Sequence, residues 1–322
     1  MSNSVIFFTP DIELSGFESA TLAMGTDYEG EVFFTLTRKI SQKRPPSALL
    51  HVHGFNDYFF HAEAANFFFD NGIDYYGLDL RKSGRSWRKH QKYNNLRDIN
   101  EYFEDIASAI ELIRRSGSAK ILLMGHSMGG LVTACYCASP SKNPLPDALF
   151  LNSPFLEQNK DIVTRRILIP IVSKIGKANP DLPVPGGFSK FYGPSLHASE
   201  KGEWNYNLHY KPHRSDMVNA GWVRTIHQAQ SMIKKGIRIE LPLLLMYPEK
   251  SVAGIWWKEA FHHGDAVVNV KHIRALQRLI HASDKTVHEI KHARHDLFLS
   301  VRDVRLSVYN LVLEWGQKHL KH

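Results

Sequence analysis

A serine between two glycines follows an apolar run near the middle of the chain, in ILLMGHSMGG at residues 121–130. The spacing Gly125-x-Ser127-x-Gly129 is typical of a sharp strand-to-helix turn, in which the glycines leave room for the turn and a neighbouring strand. The serine hydroxyl then projects above the sheet, and the N–H of Met128 at the helix start can face an oxyanion. We therefore predict Ser127 as a nucleophile, in preference to a purely structural turn.

Two histidines precede a glycine in HVHGFNDY, residues 51–58. His-x-His opens many metal sites, but a binuclear site needs an acid two residues after the second histidine, where this chain has Phe55. We therefore expect His51 and His53 to pack and to hydrogen-bond in the loop, and we predict no metal or other cofactor. A His-Gly pair after a buried strand also brings the next N–H toward a nucleophile, which predicts Phe55 as the second oxyanion donor.

A serine hydroxyl needs a general base at neutral pH, and the base needs a carboxylate that orients it. In this type of site the chain order is serine, acid, histidine. The segment KTVHEIKHARHDLF ends the last predicted strand and places His295 on the loop just beyond it. His288 and His292 lie within that strand or at its end, so His295 is the predicted base.

The acid should follow the strand LPLLLMY, and three carboxylates are candidates. Glu249 comes directly after the strand, while Asp284 precedes the last strand, at the opposite edge of the sheet from the site. Asp265, in FHHGDAVVNV, lies on a loop before the helical stretch VKHIRALQRLI. We predict Asp265 as the acid, with the alternative that it only caps a local turn.

The elements that position these residues are short apolar runs alternating with helical stretches, which is typical of strands buried on both faces of a mostly parallel sheet. Apolar residues at 99, 103, 106, 109, 110 and 113 predict a crossover helix closed by Gly117. FESATLAMG and EVFFTLTRKI read as an antiparallel pair at the sheet edge. The predicted buried strands are SALLHVHGF, IDYYGLDL, AKILLMGHS, DALFLNSPF, IELPLLLMY and KTVHEIKHA.

The alternation is interrupted once. Residues 155–238 are helical or irregular and carry most of a cluster of prolines. We predict a core made of 1–154 and 239–322, with a helical cap of residues 155–238 inserted after the sixth predicted strand. The amphipathic stretch SVRDVRLSVYNLVLEWGQKHLKH closes the core as a final helix.

Composition restricts the class of protein. The chain has 322 residues, of which 43% are apolar, enough for a substantial core. Cys135 and Cys137 lie two apart, which excludes a disulfide framework. There is no leader-like start and no run of eighteen apolar residues, so a cytoplasmic location is expected. The net charge of +8 is spread along the chain without a nucleic-acid-binding motif, so we expect no nucleic-acid partner.

Six short motifs of the chain together resemble those of the α/β-hydrolase superfamily, in its branch of monoacylglycerol lipases, lysophospholipases and serine aminopeptidases. The motifs are HGFNDY, YYGLDLRKSGRS, GHSMGG, SPF, GDAVVNV and ARHDLF. The resemblance covers residues 51–298. It implies an α/β-hydrolase fold and the triad Ser127, Asp265 and His295, with Phe55 and Met128 as oxyanion donors. Relatives commonly have Gly-Glu-His where this chain has Asn-Asp-Tyr, and Arg-Gly-His-Gly where it has Arg-Lys-Ser-Gly, which bears on the substrate rather than on the triad.

These observations predict a serine hydrolase that cleaves carboxylic esters with an acyl chain, such as monoacylglycerols or lysophospholipids. Two alternatives are a serine aminopeptidase acting on short peptides and a non-catalytic binding protein on the same fold. An apolar stripe in KDIVTRRILIPIVSKIGK is wide enough to cover an acyl pocket and to touch a membrane surface transiently, although packing onto the core is the simpler explanation.

Overall fold

The computed structural model describes residues 6–41, 47–139, 144–187, 189–214 and 217–320. The first and last residues of the predicted core, 1–5 and 321–322, lie outside these ranges. The strands are β1 (Thr9–Pro10), β2 (Glu18–Asp27), β3 (Gly30–Lys39), β4 (Ser47–Val52), β5 (Asp74–Asp79), β6 (Lys120–His126), β7 (Ala148–Asn152), β8 (Pro183–Pro185), β9 (Met217–Asn219), β10 (Ile237–Ile239), β11 (Leu243–Pro248), β12 (Ile280–Ala282) and β13 (Lys285–Ile290).

Nine of these strands form one sheet in the order β1-β2-β3-β5-β4-β6-β7-β11-β13. The pairs from β1 to β5 are antiparallel, and every pair from β5 to β13 is parallel. The predicted mostly parallel sheet with an antiparallel edge is therefore confirmed. Because β4 and β6 are neighbours at the centre, the loops that follow them meet at the same edge of the sheet.

Helices cover both faces of the sheet. They are α1 (Ala62–Asp70), α2 (Asn100–Arg115), α3 (Met128–Ala138), α4 (Ile169–Ala178), α5 (Tyr192–Leu196), α6 (Ala220–Lys235), α7 (Val270–Leu276) and α8 (Arg302–His319). The predicted crossover helix is confirmed as α2, which ends two residues before Gly117, a glycine with φ of +107°. None of the helices within the described residues is long and apolar enough to cross a membrane.

Alternation along each strand explains why the strand sequences are apolar throughout. In β4, Leu50 and Val52 belong to the core cluster that includes α2, α3 and α6, whereas Leu49 belongs to the cluster that includes α1 and α8. Successive side chains of a strand point to opposite faces, and here both faces are buried. The sheet therefore forms a rigid platform between two hydrophobic cores.

The segment between β7 and β10 contains the predicted cap. The strands β8 and β9 form a separate antiparallel pair, and α4 packs against α6. On its other side α6 packs against α3, where Ile226, Ala229 and Ile233 are buried in the same cluster as the sheet. The Cys135 thiol, which α3 carries, lies 3.8 Å from the carbonyl oxygen of Ala229. Helix α6 thus anchors this segment to the core.

A buried carboxylate at the end of β5 holds two loops at the edge of the sheet where the site lies. One oxygen of Asp79 accepts a hydrogen bond of 2.7 Å from the N–H of Phe59. Its other oxygen accepts from the Arg85 N–H at 3.0 Å and from the Arg85 guanidinium at 2.9 Å. Arg85 also binds Asp11, at 2.9 Å. Asp79 therefore fixes the segment that begins with the His-Gly pair relative to the loop that follows β5.

We expect Asp79→Ala to lower the free energy of unfolding by about 3–5 kcal/mol, because it leaves the buried Arg85 guanidinium without one of its charge partners. Urea unfolding followed by circular dichroism would measure the loss. Glu18→Ala is the control, since Glu18 pairs with Arg38 at the surface with half of its side chain exposed, and it should cost less than about 1 kcal/mol. Equal losses in the two variants would contradict the role given to Asp79.

Candidate active site

Ser127 lies on a tight turn between β6 and α3. Its backbone has φ of +54° and ψ of −114°, a left-handed conformation that non-glycine residues rarely adopt. The Ser127 N–H donates to the carbonyl oxygen of Asn152 at 3.0 Å, which ties the turn to the end of β7. Such strain at a single polar residue is characteristic of functional sites, because the surrounding structure must enforce it.

The glycines around Ser127 permit close contact between three segments. A Cβ atom on Gly125 would lie 2.3 Å from the Thr133 hydroxyl, and one on Gly129 would lie 2.4 Å from the carbonyl oxygen of His53. Both distances are shorter than any real contact of a Cβ atom. The sequence Gly-x-Ser-x-Gly is therefore required by the packing of β6, α3 and the loop after β4.

The three residues predicted as a triad are in hydrogen-bond contact. Ser127 Oγ lies 2.8 Å from His295 Nε2, and His295 Nδ1 lies 2.8 Å from Asp265 Oδ2. His295 and Asp265 are each 1% exposed and Ser127 is 8% exposed, so the chain of hydrogen bonds is shielded from bulk water. With Nδ1–H donating to the carboxylate, Nε2 is free to accept the serine proton.

The loop after β11 presents Asp265 to the imidazole. The Asp265 oxygen that does not contact His295 accepts hydrogen bonds of 2.8 Å from the N–H groups of Val267 and Val268. The carboxylate is therefore held in one orientation. The other two candidate acids lie elsewhere: Glu249 follows β11 directly, and Asp284 binds His319 at 3.1 Å, before β13.

The loop after β4 passes directly over Ser127. A Cβ atom on Gly54 would lie 3.2 Å from the Ser127 Cβ, so the backbone that leads to Phe55 is adjacent to the serine. Met128 is the first residue of α3, where backbone N–H groups have no partner within the helix. Both predicted oxyanion donors thus belong to backbone next to Ser127, and both residues line the same cavity as its side chain.

The histidines of HVHGFNDY serve the packing of this loop. His51 lies on β4, with Nδ1 3.1 Å from the Tyr75 hydroxyl. His53 Nε2 accepts from the N–H of Leu80 at 3.1 Å, and its Nδ1 lies 2.7 Å from the carbonyl oxygen of Gly54. Burial lowers the pKa of both imidazoles, which keeps them neutral. Among the described residues no group of three or more histidine, cysteine, aspartate or glutamate side chains could hold a metal ion.

A second buried carboxylate supports the loop that carries His295. Asp296 lies 2.8 Å from His61 Nε2 and accepts from the Asn152 side chain at 2.8 Å.

The ring of His126 lies 4.9 Å from the ring of His295, and burial lowers the pKa of His126 to about 4. His126 is therefore uncharged at neutral pH and does not repel a protonated His295.

A cavity of about 580 Å³ opens onto Ser127 and His295. Much of its wall is apolar, and the Phe55 ring packs 4.7 Å from the ring of Trp222, which α6 contributes. The volume is in the usual range for a pocket that buries a small organic ligand. The apolar residues of the wall include Phe155, Ile169, Val218, Trp222, Val223, Val252, Ile255 and Val267.

The same cavity contains a buried ion pair. Asp57 and Lys211 both line it, and their charged atoms lie 2.6 Å apart. Burial raises the pKa of Asp57, but the Lys211 ammonium, together with smaller contributions from the neighbouring imidazoles, lowers it by more, so that the pKa lies below its usual value. The Asp57 carboxyl group is therefore ionised at neutral pH.

Sequence reasoning missed this ion pair and also Tyr192, whose ring lies 5.6 Å from the ring of His295. Lys211 belongs to the irregular segment before β9, far along the chain from Asp57, and no spacing rule joins the two. Only the departure of Asn-Asp-Tyr from the usual Gly-Glu-His indicated that this region is unusual.

The chain is similar to known hydrolases in sequence and structure. It is 23% identical over 262 residues to a probable lysophospholipase L2 of Haemophilus influenzae, covering 78% of this chain and 77% of that protein. The structure matches a monoglyceride lipase of Saccharomyces cerevisiae with a TM-score of 0.66 and 17% identity, covering 93% and 96% of the two chains. It also matches a monoacylglycerol lipase of Paleococcus ferrophilus with a TM-score of 0.65 and 19% identity, covering 94% and 99%.

The fold of these structures is the α/β-hydrolase fold that the sequence motifs predict. The family model described as serine aminopeptidase, S33, matches residues 43–301, which is most of the chain and includes every residue of the site described above. The chain therefore belongs to the serine aminopeptidase S33 family of α/β hydrolases.

Proposed function

We propose that this protein is a serine hydrolase of the esterase and lipase type, which cleaves carboxylic esters through an acyl-enzyme. The observation that carries the proposal is the unbroken contact from Ser127 Oγ through His295 to Asp265, with 2.8 Å at each step. A strained turn, a buried base and a fixed carboxylate are the parts that serine acyl transfer requires.

The geometry supports a two-stage reaction. Ser127 Oγ attacks the ester carbonyl carbon while His295 Nε2 takes its proton, and the N–H groups of Phe55 and Met128 hold the oxyanion of the tetrahedral intermediate. The intermediate collapses, and the alcohol leaves with the proton that His295 returns. Water then attacks the acyl-enzyme with His295 as base, and the acid and free Ser127 are released. Asp265 stabilises the imidazolium in both stages.

The apolar wall of the cavity supports an ester with an acyl chain, since an aliphatic chain gains roughly 0.8 kcal/mol for each methylene it buries. Two of the similar proteins are named as lipases of monoacylglycerols and one as a probable lysophospholipase. We propose that the substrates are acyl esters of this kind. No step of this reaction requires a cofactor.

A serine aminopeptidase is the second candidate, because the family description names that activity. A free amino terminus is recognised by unpaired carboxylates. Among the described residues that line the cavity, Asp57 is the only one with a carboxylate, and the Lys211 ammonium lies 2.6 Å from that carboxylate. The charge of the pocket therefore favours ester hydrolysis over release of an amino-terminal residue.

We expect the purified protein to hydrolyse short acyl esters of p-nitrophenol far faster than amino-acid p-nitroanilides, and to be labelled by a fluorophosphonate. Ser127→Ala should abolish both ester hydrolysis and labelling while leaving the melting temperature nearly unchanged. Persistent labelling of Ser127→Ala would place the nucleophile elsewhere. Absence of both labelling and turnover in the wild type would favour the non-catalytic binding protein, and faster cleavage of the anilides would favour the peptidase.

We expect Asp265→Asn to lower kcat on the order of 10⁴-fold, because the imidazole would lose the tautomer and the charge stabilisation that the carboxylate provides. KM should change much less, since Asp265 contacts His295 rather than the substrate. Initial rates over a range of ester concentrations, up to saturation, would measure both constants. Glu249→Gln and Asp284→Asn are the controls and should change kcat little. If Glu249→Gln were nearly inactive while Asp265→Asn stayed active, Glu249 rather than Asp265 would be the acid of the triad.

We also propose that the predicted cap, residues 155–238, covers the cavity and contacts membrane surfaces transiently. Thr164 and Ile169 line the cavity, while six neighbouring apolar side chains point outward and are 41–54% exposed. Although this segment packs onto the core, no described part of the chain covers these six side chains. Basic side chains lie between them, which suits anionic lipid. The exposed apolar residues are Ile162, Val163, Ile167, Leu168, Ile171 and Ile175.

We expect the double variant Ile167→Glu and Ile171→Glu to reduce binding to anionic vesicles by about tenfold or more, because two apolar contacts are replaced by charges that the lipid repels. Co-sedimentation with phosphatidylglycerol vesicles would measure the partition coefficient. Ile12→Glu is the matched control, since Ile12 is an exposed isoleucine of the N-terminal segment. Unchanged binding of the double variant would rule out this contact.

A further inference from the structure

The ammonium of Lys211 lies in an enclosure of aromatic rings inside the cavity. Its Nζ is 5.4 Å from the ring centre of Phe60, 5.8 Å from that of Tyr206 and 5.9 Å from that of Tyr192. The carboxylate of Asp57 is 2.6 Å away. Aromatic faces together with a carboxylate form the type of site that binds quaternary ammonium groups. In this protein, a side chain of the protein itself occupies that site.

The enclosure is built into the fold, because two hydrogen bonds join the segment of Lys211 to the loop of Asp57. Asn56 donates its side-chain N–H to the carbonyl oxygen of Pro212 at 2.8 Å, and Asn207 donates its backbone N–H to the Tyr58 hydroxyl at 2.8 Å. The side chain of Lys211 is 7% exposed. The segment that carries Lys211 is therefore attached to the loop that carries Asp57, rather than lying loosely over it.

The enclosure is also next to the reacting groups. The ring of Tyr192 lies 5.6 Å from the ring of His295 on one side and 5.9 Å from the Lys211 ammonium on the other. Asp57 is two residues after Phe55, the proposed oxyanion donor. Since His295 returns its proton to the departing alcohol, the alcohol part of a substrate lies near His295 and within reach of this enclosure.

The ion pair of Asp57 and Lys211 interacts differently with the alcohol part of neutral and of cationic esters. A hydroxyl group can donate to Asp57 and accept from Lys211, so the pair can bind neutral polar alcohols. A quaternary ammonium group would be attracted by the carboxylate and the aromatic rings, but Lys211 already fills that position and repels a second cation. Burying such a pair carries a large desolvation cost, which a purely apolar wall would avoid.

We propose that Lys211 determines leaving-group specificity: it excludes esters whose alcohol carries a cation close to the ester oxygen, because it occupies a cation site formed by Asp57, Phe60, Tyr192 and Tyr206. This inference rests on the proposed ester hydrolysis. It divides the substrate class, because esters whose alcohol carries a trimethylammonium group close to the ester oxygen are excluded.

The test compares two butyrate esters of nearly equal shape, butyrylcholine and the uncharged 3,3-dimethylbutyl butyrate. The wild type should have a kcat/KM for the choline ester at least about tenfold below that for the neutral ester. Lys211→Met should raise the ratio of choline to neutral ester by about tenfold or more, since it removes the ammonium that repels the cation and leaves the Asp57 carboxylate unpaired. The double variant Asp57→Asn with Lys211→Met should lose most of that gain.

Lys190→Met is the matched control, because Lys190 also lines the cavity but is exposed at its rim. For Lys190→Met the ratio of kcat/KM for the choline ester to that for the neutral ester should stay close to the wild-type ratio. If Lys190→Met raised this ratio as much as Lys211→Met does, the effect would come from net charge and the proposal would be overturned. A wild type that cleaves both esters equally well would overturn it without any variant, which covers the case in which Lys211→Met does not fold.

Binding of tetramethylammonium, measured by calorimetry, separates this inference from the proposed reaction. Lys211→Met should bind the ion and the wild type should not. If neither ester is cleaved and a fluorophosphonate does not label Ser127, the proposed reaction fails and the leaving-group inference fails with it, while the calorimetric result still decides whether Lys211 occupies a cation site. If Lys211→Met folds and does not bind tetramethylammonium, the proposed cation site is refuted.

Discussion

The close approach of three backbone segments at Ser127 is the constraint on which the rest of the site depends. Helix α3, strand β6 and the loop after β4 come so near each other that Gly125 and Gly129 cannot carry a side chain. This contact forces Ser127 to a φ of +54° and places its hydroxyl beside the backbone of Gly54 and Phe55. The predicted nucleophile, the two predicted N–H donors and a helix N-terminus are thereby brought to one point by packing alone.

Packing of the sheet does not by itself fix the loops at its carboxyl edge, and buried charges perform that task. Asp79 joins the segment of Phe59 to Arg85, and Asp296 joins the loop of His295 to His61 and to Asn152. Each carboxylate is fully buried and has several donors. Hydrogen bonds to charged groups are stronger than neutral ones, so a few carboxylates can hold loops that bury little apolar surface of their own.

The sheet and the positions of Ser127, Asp265 and His295 could be predicted from sequence because each depends on local signals. Apolar runs, a glycine-flanked serine and a histidine just after a strand are all short patterns, and the order of the strands does the rest. The pair of Asp57 and Lys211 could not be predicted, because it joins the loop after β4 to an irregular segment without periodicity. The support of His295 by Asp296 was hidden for the same reason, since His61 and Asn152 belong to other elements.

One catalytic frame can serve esterases and peptidases, so selectivity must come from residues that the elbow does not fix. In this chain the loop that supplies Phe55 also supplies Asp57, and a lone carboxylate there would attract cationic substrates of either kind. The ammonium of Lys211 cancels that attraction from a segment outside the parallel sheet. Within the described residues this segment forms no ladder with β6, β11 or β13, so Lys211 can be replaced without breaking the ladders that position Ser127. The charge of the pocket can therefore change independently of the reaction, and the family description alone does not determine which bond is cleaved.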